Sequence, residues 1–218
     1  MGRLVRADEL NAVRTAVIEE LTATNEAREQ GLSACRQVIR ACSRSIRMVH
    51  RNEHVEAASV ADEAESHLRR AQEALADFPK VAHAGFLHDA EKEYAEARLT
   101  AAFVQGAPLP IYADLRVAIP AWLNGLAEAA SELRRYLLDS LRRGDMSRGD
   151  ELLEDMDDVY ELLVSIDYPD ALTAGLRRTT DAYRAVLERT RSDYTTAVMQ
   201  AQLQAAIVAH PNSIAPNS

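Results

Sequence analysis

Two pairs of glutamates carry the spacing in this sequence that most suggests chemistry. Glu93 and Glu96 lie in EKEYAEARLTAAFV, residues 91–104, and Glu128 and Glu132 lie in AWLNGLAEAASELRRYLL, residues 121–138. A helix turns about 100° per residue, so Glu93 and Glu96 project about 60° apart and Glu128 and Glu132 share a face one turn apart. Glu93 emerges beside Ala97 and Val104, and Glu96 between Leu99 and Phe103, with Thr100 on the same arc. A solvated stripe has polar neighbours on both sides, and this one does not. Gly125 and Ala129 flank the second pair and are small enough to let another helix or a substrate come close. Trp122, Leu126, Leu133 and Leu137 form the apolar arc of that helix.

Brought together, four carboxylates make a hard, oxygen-only environment suited to Mg²⁺ or Mn²⁺. Such an ion generates a hydroxide nucleophile and stabilises charge on a phosphoryl group. Spacing alone leaves a plainer reading open, because glutamates three or four residues apart are common on solvated helices. A di-iron bundle is demoted, since it needs Glu-x-x-His and none of the six histidines has Glu three residues before it.

A second candidate feature is basic. Arg36, Arg40, Arg44, Arg47 and Arg51 fall within about 80° of one another on a helix, a row able to track a phosphate backbone. The same row also reads as a solvated face, or as a seam pairing with the acidic segment Glu151, Glu154, Asp155, Asp157 and Asp158. Arg177, Arg178, Arg184, Arg189 and Arg191 form a looser basic region with the same ambiguity. His50 and His54 are four apart but lack the HExxH order of zinc proteases, and read as surface histidines. His83 and His88 precede the first glutamate pair, on different faces of the same expected helix. Tyr94 and Trp122 read as core rather than as base-stacking platforms. No Gly-rich phosphate loop, Ser-His-Asp set or Cys-His cluster is present.

These residues need helices to position them, and the composition supplies helices. Gly (8), Pro (7) and aromatics (5%) are scarce, and Ala, Leu, Arg and Glu are plentiful. Apolar residues recur at helical spacing from Asp8 to about Arg51 (Leu10, Val13, Val17, Leu21, Leu32, Val38, Ile39, Ile46), with a bend expected at Gly31. Further helices are expected over 53–76, 79–105, 112–143, 147–166 and 169–206, with Pro120 kinking the fourth or opening its main segment. The expected class is all-α: one domain of six to seven long antiparallel helices over 8–207, between tails at 1–7 and 208–218.

A formal charge of -9 argues against coating nucleic acid through bulk charge, though not against a local basic patch. Cys35 and Cys42 are too far apart along one helix for a disulfide, and two free thiols point to a reducing, cytoplasmic setting. No membrane span and no signal peptide is expected.

KEYAEA (92–97), followed by AAFV, resembles the corresponding helix of Trax, the translin-associated protein. WLNGLAEAASEL (122–133) resembles the next helix of translin and Trax, and the RGD turn at 143–145 follows as the family's Gly-Asp turn does. The resemblance covers most of residues 8–205 and is most specific over 86–145. It implies an all-helical subunit of a hollow homo-octamer binding single-stranded RNA or DNA, with a Trax-like endoribonuclease activity. By position, the acids of the Trax EY-x-E element fall on Glu93 and Glu96, and the pair spaced by four falls on Glu128 and Glu132. These four are implied to be catalytic and to hold Mg²⁺ or Mn²⁺; in a nuclease of that kind the arginine row, read above from its spacing, would hold the strand. Glu128 departs from the family motif, which has Asp there. The alternatives are a non-catalytic, translin-like single-strand binder, or a structural assembly whose acids form salt bridges between subunits.

Overall fold

The computed structural model describes residues 2–209, and all regular structure among them is helical. Six long helices account for most of it. They are α1 (Gly2–His50), α2 (His54–Leu75), α4 (Phe86–Gln105), α6 (Ile119–Arg142), α7 (Gly149–Ser165) and α9 (Leu176–Ala209). Three single turns stand between them: α3 (Pro79–Ala82), α5 (Tyr112–Leu115) and α8 (Asp170–Thr173). The C-terminal tail expected from 208 lies outside the described residues from 210 onward, and α1 already begins at Gly2, ahead of Asp8.

The all-α class is as expected, and the proline and glycine punctuation explains most boundaries. Pro79 forces Phe78 out of helical geometry and ends the α2 segment. Gly106 closes α4 in the left-handed region at φ 62°. Pro120 occupies the first turn of α6, where its missing N–H is not needed, so it opens the helix and does not kink it. Three expected helices are each divided by one break. Gly85 (φ 100°) parts α3 from α4, Arg116 (φ 49°) ends α5, and Ala174 with Gly175 (φ 51° and 80°) parts α8 from α9. Helix α1 runs through Gly31 without interruption. A β-carbon there would meet Leu75 Cγ at 2.9 Å, so the glycine admits α2 close to α1.

Helices α1, α2 and α4 pack mutually, as do α6, α7 and α9, and the two groups join across α4 and α6. Glu91, early in α4, accepts the backbone N–H of Ala118 at the start of α6 (3.1 Å). Arg148, just ahead of α7, donates to the Phe103 carbonyl at the far end of α4 (3.1 Å). Helices α4 and α6 therefore run in the same sense, unlike the antiparallel neighbours expected, and the chain from Gly106 to Ala118 makes the return. Trp122 Nε1 fastens that return segment through the Pro110 carbonyl (3.0 Å).

The core is built from Cys35, Val38, Cys42, Leu68, Tyr94, Leu99, Leu133, Leu137 and Met156, among others. Tyr183 of α9 donates its hydroxyl to the Met156 carbonyl of α7 (2.7 Å), which satisfies a phenol that burial would otherwise leave without a partner. The apolar repeat at the start of α1 does not join this core. Leu10, Val13, Val17, Ile18 and Leu21 are all exposed, as are Met199, Leu203 and Ile207 at the end of α9. Their periodicity was a true sign of an amphipathic helix, but within one chain that face is bare.

Candidate functional site

The close approach of α4 and α6 assembles the site. A β-carbon at Gly125 would stand 2.7 Å from the Lys92 carbonyl oxygen, 2.9 Å from Ala95 Cβ and 3.1 Å from Glu96 N. Glycine at this position lets the α6 backbone lie directly on the turn of α4 that carries Glu93 and Glu96. Ala95 and Ala129, both buried, keep the rest of the contact thin. Glu91 is not a solvated charge. It is 7% exposed and accepts from Gln72 Nε2 (2.7 Å) and from Ala118 N, which pins the starts of both helices.

One carboxylate oxygen each from Glu93, Glu96 and Glu128 lies within 4.8 Å of the others, with Glu96 the most enclosed. Lys92 reaches across to this group, with Nζ 2.7 Å from both Glu128 oxygens and 3.7 Å from Glu93 Oε1. Glu132 stands apart, because His50 at the end of α1 holds its Oε2 from Nε2 at 2.5 Å. So three of the four glutamates converge as donors, and the fourth borders them in the grip of a histidine.

The electrostatics follow from crowding. Burial, with the charges of Glu93, Glu128 and Glu132, pushes the Glu96 carboxyl up to about 8. Burial also raises Glu93, although Lys92 opposes it. The His50 hydrogen bond holds Glu132 below its ordinary value and keeps it ionised. Burial disfavours the Lys92 charge, but the hydrogen bond to Glu128 and the surrounding glutamates more than offset this and raise its pKa. Beneath the group, burial and the nearby Glu93 and Glu96 push the Cys42 thiol up, so it stays protonated and inert. Both cysteines are buried and free.

Three converging carboxylates, too crowded for all to ionise comfortably, fit a hard divalent cation such as Mg²⁺ or Mn²⁺. Glu93, Glu96 and Glu128 would hold it. Glu132 falls outside this donor group.

The other sequence candidates divide. Arg36, Arg40, Arg44, Arg47 and Arg51 are all exposed. Arg44 pairs with Glu63 of α2 (2.7 Å), and the other four have no ion pair among the described residues. Among the described residues the row makes no ion pair with the acidic segment, where Glu151 pairs with Arg148 and Asp157 with Arg191. Arg47 sits about 60° round α1 from His50, so the row begins beside the Glu132 edge of the carboxylates. His50 itself is a correction. It is buried, with a side chain 2% exposed, and not a surface histidine. The signal was present, because His50 continues the arc of Ile39 and Ile46. His83 lies in the α3–α4 turn, its ring against the Pro79 carbonyl, on a different element from His88. Tyr94 is buried, and Trp122 packs against the core, as expected. Sequence reasoning missed Lys92, because its partner Glu128 lies 36 residues away on another helix.

Solved structures share this fold. The crystal structure of AfC3PO is 34% identical and covers 88% of this chain and 98% of its own, with a TM-score of 0.77. The chain belongs to the translin/Trax family. Other members of this fold include AfC3PO in complex with duplex RNA, at 34% identity over 88% of this chain and 97% of that one, TM-score 0.67. Apo-NeC3PO, at 17% identity over 84% and 96% with a TM-score of 0.76, shares the translin/Trax fold. An uncharacterised protein of Methanocaldococcus jannaschii is 27% identical over 208 residues, 92% of this chain and 88% of that protein. No protein-family model matches the sequence. Among the described residues, no helix is long and apolar enough to cross a membrane.

Proposed function

We propose that this translin/Trax-family chain is an Mg²⁺- or Mn²⁺-dependent endoribonuclease that binds and cuts single-stranded RNA inside a homo-oligomeric helical shell. The observation that carries the reading is the convergence of Glu93, Glu96 and Glu128 within 4.8 Å. The relative AfC3PO, solved with duplex RNA, supports RNA as the ligand class.

A bound divalent cation supplies an activated water and neutralises charge on the phosphoryl group. The chain's own residues do the rest. Glu93, Glu96 and Glu128 orient around one point. Glu132, kept ionised by the His50 hydrogen bond to Oε2, has Oε1 left to take the proton of the attacking water. Arg47 and Arg51 hold backbone phosphates beside the Glu132 edge, and Arg40 and Arg36 continue the track along α1. The bare apolar faces of α1 and α9 supply the contacts between copies, since exposed faces of this kind mark interaction surfaces.

A second reading is favoured by one observation: the Lys92 ammonium already neutralises Glu128, as it would in a non-catalytic binder. One experiment separates them. End-labelled single-stranded and duplex RNA are incubated with wild type and Glu96→Gln in Mg²⁺, Mn²⁺ or EDTA. Cleavage by wild type that needs metal and is lost in the variant supports the nuclease. Tight binding without cleavage under every metal supports the binder.

A further inference from the structure

We infer that Lys92 is the resident counter-cation of the carboxylate cluster, holding Glu128 when no metal is present and competing with a divalent ion for it. This rests on the metal reading proposed above and adds a residue that the reading does not require. The geometry is specific. The ammonium nitrogen lies 2.7 Å from both oxygens of Glu128 and 3.7 Å from Glu93 Oε1. The Lys92 side chain is only 21% exposed, so its charge is held among the carboxylates and not in bulk water. The other basic side chains near the site engage other partners. His50 is committed to Glu132, while Arg98 pairs with Asp62 and Glu65 on the α2 side of α4.

Lysine suits this task better than arginine, because its compact ammonium mimics a small cation and sits on a flexible stem that can withdraw. When a divalent ion takes an oxygen of Glu128, the ammonium gives up its hold there, since two cations sharing one carboxylate repel. Lys92 thereby weakens metal binding while stabilising the metal-free cluster. Metal affinity in this chain is set by a displacement and not only by the number of carboxylates.

The test uses the full chain and Mn²⁺ alone. Calorimetric Mn²⁺ titration and thermal unfolding in EDTA or Mn²⁺ are run on wild type, K92Q, K92M and E96Q. K92M carries no oxygen, so any gain it shows cannot come from a new ligand. The expected result is that K92Q and K92M bind Mn²⁺ at least tenfold more tightly than wild type. Both melt lower in EDTA, and Mn²⁺ raises their melting temperature by more than it raises that of wild type. A variant that is unfolded in EDTA and folds on adding Mn²⁺ gives the same support. Unchanged or weaker Mn²⁺ binding in both lysine variants, with binding abolished in E96Q, overturns the role of Lys92 and leaves the metal reading standing. Absence of Mn²⁺ binding in wild type overturns both.

Discussion

Replacing Gly125 by alanine tests the contact on which the site depends. The added β-carbon would lie 2.9 Å from Ala95 Cβ and 2.7 Å from the Lys92 carbonyl oxygen. Carbon atoms pack comfortably at about 3.5–4.0 Å, so the new methyl is at least about 0.6 Å too close to Ala95. The opposing atoms belong to the α4 backbone and a β-carbon, which no rotamer change can move. Overpacking of this kind costs about 1–3 kcal/mol, and the better helix propensity of alanine returns about 1 kcal/mol. The net loss is about 0–2 kcal/mol, or up to roughly 8 °C in melting temperature for a chain of this size. Because α4 must back away from α6, Glu93 and Glu96 also separate from Glu128, and Mn²⁺ affinity falls with stability. Thermal unfolding in EDTA at fixed protein concentration, followed by Mn²⁺ titration, reads both. A melting temperature equal to or above wild type, with unchanged Mn²⁺ affinity, would refute the claim that this glycine sets the helix spacing.

Glu96→Gln makes a prediction of opposite sign. A carboxyl raised from 4.5 to about 8 binds protons more tightly folded than unfolded, so stability falls as pH rises across that window. At about 1.4 kcal/mol per tenfold change in affinity, the loss is at most ~5 kcal/mol, shared with its neighbours. In EDTA the glutamine variant should melt above wild type at pH 8 and lose that advantage near pH 5; equal melting at both pH values would contradict it. His50→Ala removes a hydrogen bond to an ionised partner and should cost about 1.5–3 kcal/mol in urea unfolding at pH 7. That loss shrinks as pH falls below about 4.5, where Glu132, held low in the folded chain, becomes protonated. Arg40→Glu with Arg47→Glu should weaken single-stranded RNA binding and flatten the log–log salt dependence by about 1.4, near 0.7 per lost phosphate contact. An unaltered slope would remove the row from the RNA track.

What the sequence made legible was what local chemistry controls. The stop before Pro79, the cap at Gly106 and the opening role available to Pro120 are each dictated by one residue's backbone geometry. The breaks at Arg116 and Ala174 carry no such signature, because residues other than glycine reach the left-handed region only when tertiary packing holds them there. The apolar repeat of Leu10, Val13, Val17 and Leu21 correctly marked one face of α1, but periodicity does not say whether a face meets its own chain or another surface. The glutamate pairs were visible as pairs. Lys92 on Glu128 and His50 on Glu132 were not, because each joins residues brought together only by helix crossings. The same crossings divide the four expected ligands into three converging donors and one held aside.

Anomalous diffraction from crystals soaked in Mn²⁺ reads whether Glu93, Glu96 and Glu128 hold a divalent cation. One peak is expected about 2.1 Å from a carboxylate oxygen of each of these three residues, with the Lys92 ammonium drawn back from Glu128. A cluster without a peak at saturating Mn²⁺, with Lys92 still on both Glu128 oxygens, would contradict cation binding there.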